Sequence, residues 1–226
     1  GVMHVEAEGN AKVHIPAFVY MLVRVLQWTS IEAINFRLRN FDWMCPAADK
    51  PQEFRHATQE GTDAGTPSSD TSVGWKAMSV HAFMLRGIEF FQYFVPKGHE
   101  KEESWVCFKL HCLYYALLQK TSFEKIDIVN LDSLICKQQT LFLNIPHYSD
   151  LWKPKNHWAT HFPVDIIRFG PPLYWSELKF EMKHQWLKRC ARMSNFIGLL
   201  STIAFNSEMR ACLDLFEGVH LNYFGK

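Results

Sequence analysis

The sequence predicts an all-α protein, an irregular bundle of six to eight helices. Two observations carry this. Apolar residues recur at three- and four-residue steps along most of the chain, with proline or glycine at several segment ends. No window alternates polar and apolar residues strongly enough to read as a strand.

The elements follow in order. Over 11–41, Phe18, Leu22, Val25 and Leu26 mark one helix, with Pro16 suited to a first turn. Thr29 and Ser30 suit the cap of a second helix, which would bury Ile31, Ile34, Leu38 and Phe41. Residues 45–74 change character, and Gln59 to Asp70 is small, polar and turn-rich. The chain therefore reads as one helical domain, 1–226, with a flexible polar loop near 58–72. From Trp75, a helix carrying Met78, Phe83, Leu85, Ile88, Phe91 and Phe94 runs to Pro96 and Gly98. A charged turn, His99 to Glu103, leads to an apolar helix over 104–119. Another helix spans Asn130 to Ile145 and is closed by Pro146. Prolines 154, 163, 171 and 172 break up 151–173, which predicts a helical turn or two flanked by extended loop. Ser176 can cap a long helix to about Met193, and a last helix covers roughly 195–217, stopped at Gly218.

Composition narrows the function classes. With 226 residues, 48% hydrophobic and 15% aromatic, the chain has ample material for a core. A net charge of +1 excludes a whole-chain basic footprint, so contact with nucleic acid would need a local patch. The six cysteines form no CxxC pair and read as reduced core thiols in an intracellular protein. No window approaches the roughly 18 apolar residues of a membrane span.

One stretch stands out. Lys153-Pro154-Lys155-Asn156-His157 leads to His161-Phe162-Pro163. Phe169-Gly170-Pro171 follows, then Phe180-Glu181-Met182-Lys183-His184 and Lys188. At about 100° per residue, Glu177, Glu181, His184 and Lys188 share one helical stripe between two apolar flanks. An enclosed carboxylate there must be paired, protonated or metal-bound. The structural reading is a salt bridge from Glu181 to Lys188 or Arg192; the functional reading is a ligand facing a cleft. From Ser176 to Arg192, five Lys or Arg stand against two Glu, a local charge of +3 that could meet phosphates or simply face solvent. His157 and His161 have a spacing that zinc accepts on a helix, but no third and fourth ligand is evident. Cys107, His111 and Cys112 read as core or rim of their helix.

This arrangement resembles the C-terminal part of CACTA-like transposases and the transposon-derived proteins related to them. Met3-His4, Glu8-Gly9, the stretch Thr29 to Asn35 with Phe41, and Trp75-Lys76-Ala77 are similar to the segments that precede it in that family. The resemblance implies a helical insertion plus the last catalytic helix of an RNase H-like, DDE-type nuclease. In that family three carboxylates hold divalent metal, usually Mg²⁺, for phosphodiester cleavage and strand transfer. It implies that Glu181 is the last acid and a metal ligand, that His184 and Lys188 orient or neutralise the phosphate, and that His4 is the histidine of an Asp-x-x-His element. Gly1 stands where the family has that Asp, and the other two acids would lie upstream. The chain alone is therefore expected not to cleave DNA. DNA as partner, a nuclear location and a homo-oligomer are compatible with the resemblance. The alternative is a domesticated, non-catalytic helical module that binds protein or nucleic acid.

Overall fold

A computed structural model describes residues 3–54, 73–146, 148–175, 204–205 and 208. The chain divides into two compact units, Gly1–Ser176 and Glu177–Lys226. The polar loop near 58–72 and the cap and helix expected over 176–193 lie outside the described residues, as does most of the 195–217 segment. Every regular element among the described residues is helical and none is a strand, as the sequence predicts. No described helix is long and apolar enough to cross a membrane.

The first helix begins earlier than the sequence pattern indicates. Met3–Asn10 is wound as a π-helix and runs without a break into α1, Ala11–Tyr20; Met21–Val25 continues it, again π-wound. The junction residues Asn10 and Met21 both have helical φ −57 and ψ −48. Pro16 thus sits inside the helix rather than in its first turn. A proline there cannot donate a backbone bond and crowds the preceding turn. Tertiary burial overrides that cost, because Val13 to Val19 are buried on every face, as a central helix requires.

α2, Ile31–Asn40, starts where Ser30 accepts a hydrogen bond from the Ala33 amide at 3.2 Å. Ile34 and Leu38 are buried, whereas Ile31 and Phe41 are only half-buried. Asn35 clamps the strap that follows: its Nδ2 donates to the Phe54 carbonyl at 3.2 Å, and its Oδ1 accepts from the Phe54 amide at 2.9 Å. The buried Trp43 donates from Nε1 to the Leu38 carbonyl at 3.1 Å.

α3, Ala77–Gln92, and α4, Glu103–Leu117, pack closely at Gly87. A Cβ at Gly87 would lie 3.0 Å from Phe108 Cζ. Phe108 is itself fixed, stacked on Phe18 at 4.8 Å and met edge-on by Phe91 at 5.2 Å. Phe83, Phe91 and Phe94 are buried as expected, while Leu85 is exposed. The Glu102 carboxylate caps α4 by accepting from the Trp105 amide at 2.9 Å.

α5, Lys125–Asn144, starts five residues before Asn130, because Glu124 and Asp127 form a capping box that the apolar pattern does not register. Leu131, Ile135 and Phe142 face the core. The segment 151–173 is more helical than expected, with a 3₁₀ turn Ser149–Leu151, α6 Pro154–Ala159, α7 Phe162–Phe169 and α8 Pro172–Trp175. Prolines 154, 163 and 172 sit in first turns, where a missing N–H costs nothing, so they begin helices rather than break them. Gly170, at φ 77, ends α7 in a conformation that L side chains rarely adopt.

Candidate functional site

The most organised polar group in the described unit is buried. Glu6, Asn10 and His14 recur every four residues and so share a face of the first helix. His111 and Tyr114 come from α4, and Gln138 from α5. Glu6 and His111 are fully buried, and none of the six side chains is more than 4% exposed. Burial at this level is tolerated only when polar atoms find partners.

The partners form a chain. Tyr114 donates its hydroxyl to Glu6 Oε2 at 3.0 Å, and Asn10 Nδ2 donates to Glu6 Oε1 at 3.0 Å. His111 Nε2 lies 2.9 Å from Glu6 Oε2. His111 Nδ1 lies 2.6 Å from His14 Nδ1, and Gln138 Nε2 lies 3.2 Å from that same nitrogen. His14 stacks on Phe142, with ring centroids 4.2 Å apart and planes 14° apart. Asn10 Oδ1 and His14 Nε2 are buried without a hydrogen-bond partner.

Burial dominates the electrostatics. It pushes the Glu6 carboxyl up to about 7, against the lowering effect of the Tyr114 and Asn10 hydrogen bonds. It pulls His111 down to about 3. His14 is also held well below the ordinary histidine range, first by burial and then by His111. Both imidazoles are therefore neutral near pH 7. A general base must reach the proton it abstracts. Side chains this enclosed do not meet a substrate, so the network's chemistry is that of a fixed junction between helices.

The sequence-predicted residues fall elsewhere. Glu181, His184 and Lys188, together with Glu177, lie outside the described residues, so the proposed metal ligand Glu181 has no described geometry. His4 belongs to the Met3–Asn10 segment, but its side chain is outside the description. His157 and His161 are exposed on and just after α6, with ring centroids 5.0 Å apart. Among the described residues no three His, Cys, Asp or Glu converge as a metal site. Cys107, His111 and Cys112 are buried, as the core reading expects, but His111 is also the hub of the polar network. Sequence reasoning missed Glu6, Asn10 and His14. Their signal is three polar residues at four-residue spacing that lead into the apolar Ala11–Tyr20 helix.

A surface cleft of about 750 Å³ lies between α2 and α3, lined by Phe36, Arg37, Phe41, Arg86 and Tyr93 among others. The Arg37 guanidinium sits over the Tyr93 ring at 4.4 Å. No family model, curated protein or solved structure matches this chain.

Proposed function

We propose that the chain is the C-terminal part of a DDE-type, cut-and-paste DNA transposase or a relic of one. In this reading the unit described above is the helical insertion of an RNase H-like enzyme. Glu181 supplies one metal-binding acid for Mg²⁺-dependent cleavage, with His184, Lys188 and His4 beside the phosphate. The enzyme acts in the nucleus on DNA.

One observation carries the reading. The stretches Met3–Gly9 and Lys153–Pro163, which bear the resemblance, are far apart in sequence yet meet in space. The Met3–Asn10 helix packs on α6, and Asn10 Nδ2 donates to the Lys155 carbonyl at 3.3 Å. Gln139 of α5 holds the neighbouring Asn156 carbonyl. Their adjacency supports reading the two stretches as parts of one structural unit. The test is DNA binding by the whole chain across a salt series. Binding should weaken steadily as salt rises, and Lys179, Lys183 and Lys188 changed together to Gln should flatten that slope. Binding that ignores salt would remove the phosphate contacts from the account.

A second reading is a non-catalytic module that binds protein. The α2–α3 cleft favours it, since Phe36 and Tyr93 stand exposed beside an arginine, a combination common at protein interfaces.

A further inference from the structure

With Gln138 Nε2 facing Cys107 and His14, donor and acceptor counting places the protons of the buried network. Cys107 spends its only S–H on the Gln138 carbonyl at 3.6 Å. Its sulfur accepts from Gln138 Nε2, also 3.6 Å away, and the same NH₂ faces His14 Nδ1. His14 Nδ1 then accepts from Gln138 and carries no proton. The 2.6 Å contact from His111 Nδ1 to that nitrogen requires the proton on His111 Nδ1. This leaves His111 Nε2 with a lone pair facing Glu6 Oε2 at 2.9 Å. A hydrogen bond there needs either a protonated Glu6, or a doubly protonated His111 beside a carboxylate. The second arrangement takes two charges out of water, and the first takes none.

We propose that Glu6 is a carboxylic acid at and below neutral pH, donating to His111 Nε2, and that this single proton latches the Met3–Tyr20 helix to α4 and α5. The step that opens the latch is loss of the Glu6 proton to solvent. The new carboxylate then faces the His111 Nε2 lone pair. It can recover a donor only if the His111 proton moves from Nδ1 to Nε2. His14 must then move its proton from Nε2 to Nδ1, where it meets the Gln138 NH₂, donor against donor. With Gln138 held in this orientation, proton loss breaks at least one buried hydrogen bond.

Among the described residues, Glu6 is hydrogen-bonded to His111, Tyr114 and Asn10. On α4 it faces His111 and Tyr114, with Tyr115 at longer range. Its own helix presents Asn10, while His14 meets His111 and Gln138 of α5 meets His14. α6 presents the Lys155 carbonyl. On α3, His81 Nδ1 is engaged by Tyr115 at 2.9 Å.

The test is the urea midpoint of the full chain at pH 6.5 and 8.5, for wild type and Glu6→Gln. The Gln amide mimics the protonated acid, donating to His111 and accepting from Asn10. The wild-type midpoint should fall between the two pH values, and the variant's should stay level. A fall of equal size in a folded variant, or no fall in wild type, overturns the proposal. Infrared spectroscopy of wild type decides the matter without a variant. A protonated-carboxyl C=O band should be present at pH 6 and absent at pH 9, whereas fully ionised carboxyls at pH 6 would refute the assignment.

Discussion

His111 is the residue on which the polar network turns, because it touches both Glu6 and His14 within hydrogen-bond distance. Replacing it with Leu keeps the apolar volume but leaves the Glu6 acid without its acceptor and removes a donor from His14. Each stranded buried group costs about 1–3 kcal/mol, so His111→Leu should destabilise by roughly 3 kcal/mol in urea denaturation. A loss below about 1 kcal/mol would mean that the network is incidental. Cys107 also belongs at this scale. Burial pushes its thiol up to about 12, so it stays protonated and unreactive while it orients Gln138. Alkylation of the folded protein should therefore favour exposed Cys136 over Cys107, checked by mass mapping of the labelled peptides.

At the scale of elements, two contacts set how helices meet. Alanine normally favours a helix over glycine by about 1 kcal/mol. At Gly87 the order should reverse, because the added methyl would press on Phe108, which Phe18 and Phe91 hold in place. Overpacking costs about 1–3 kcal/mol, so Gly87→Ala should lower the thermal midpoint. Asn35→Ala removes both hydrogen bonds to Phe54 and should cost about 2 kcal/mol by the same measurement. Much of the helical architecture was legible in sequence, since α2, α3 and α4 announce themselves by apolar spacing. What was not legible has physical reasons. The helix through Pro16 exists because burial outweighs the proline penalty, and α5 begins early because of side-chain caps. The short helices α6 to α8 use their prolines as starts. The Glu6–His111–His14 group is a tertiary fact, built from residues about a hundred positions apart.

For the whole molecule, the buried network predicts a stability optimum near neutral pH. Glu6 is raised from 4.5 to about 7, so its contribution is complete below pH 4.5 and is lost as pH rises through 7. His111 is lowered from 6.5 to about 3 and His14 is lowered too, so theirs is complete above 6.5 and lost as pH falls. Between 4.5 and 6.5 the unfolded chain gains two imidazole protons against the one that folded Glu6 retains. Acidification should then cost stability through this network, with His81 adding in the same direction. Above 6.5 the sign reverses, and stability should fall as Glu6 ionises. Urea denaturation across pH 4.5–8.5 should trace that maximum.

The catalytic part of the proposal turns on Glu181, and strand cleavage tests it most directly. In an intact enzyme that carries this segment, Glu181→Gln should abolish Mg²⁺-dependent DNA cleavage while leaving the folded state nearly as stable as before. Cleavage that persists would contradict the account, and a substitution that chiefly unfolds the protein would make Glu181 a structural salt-bridge partner.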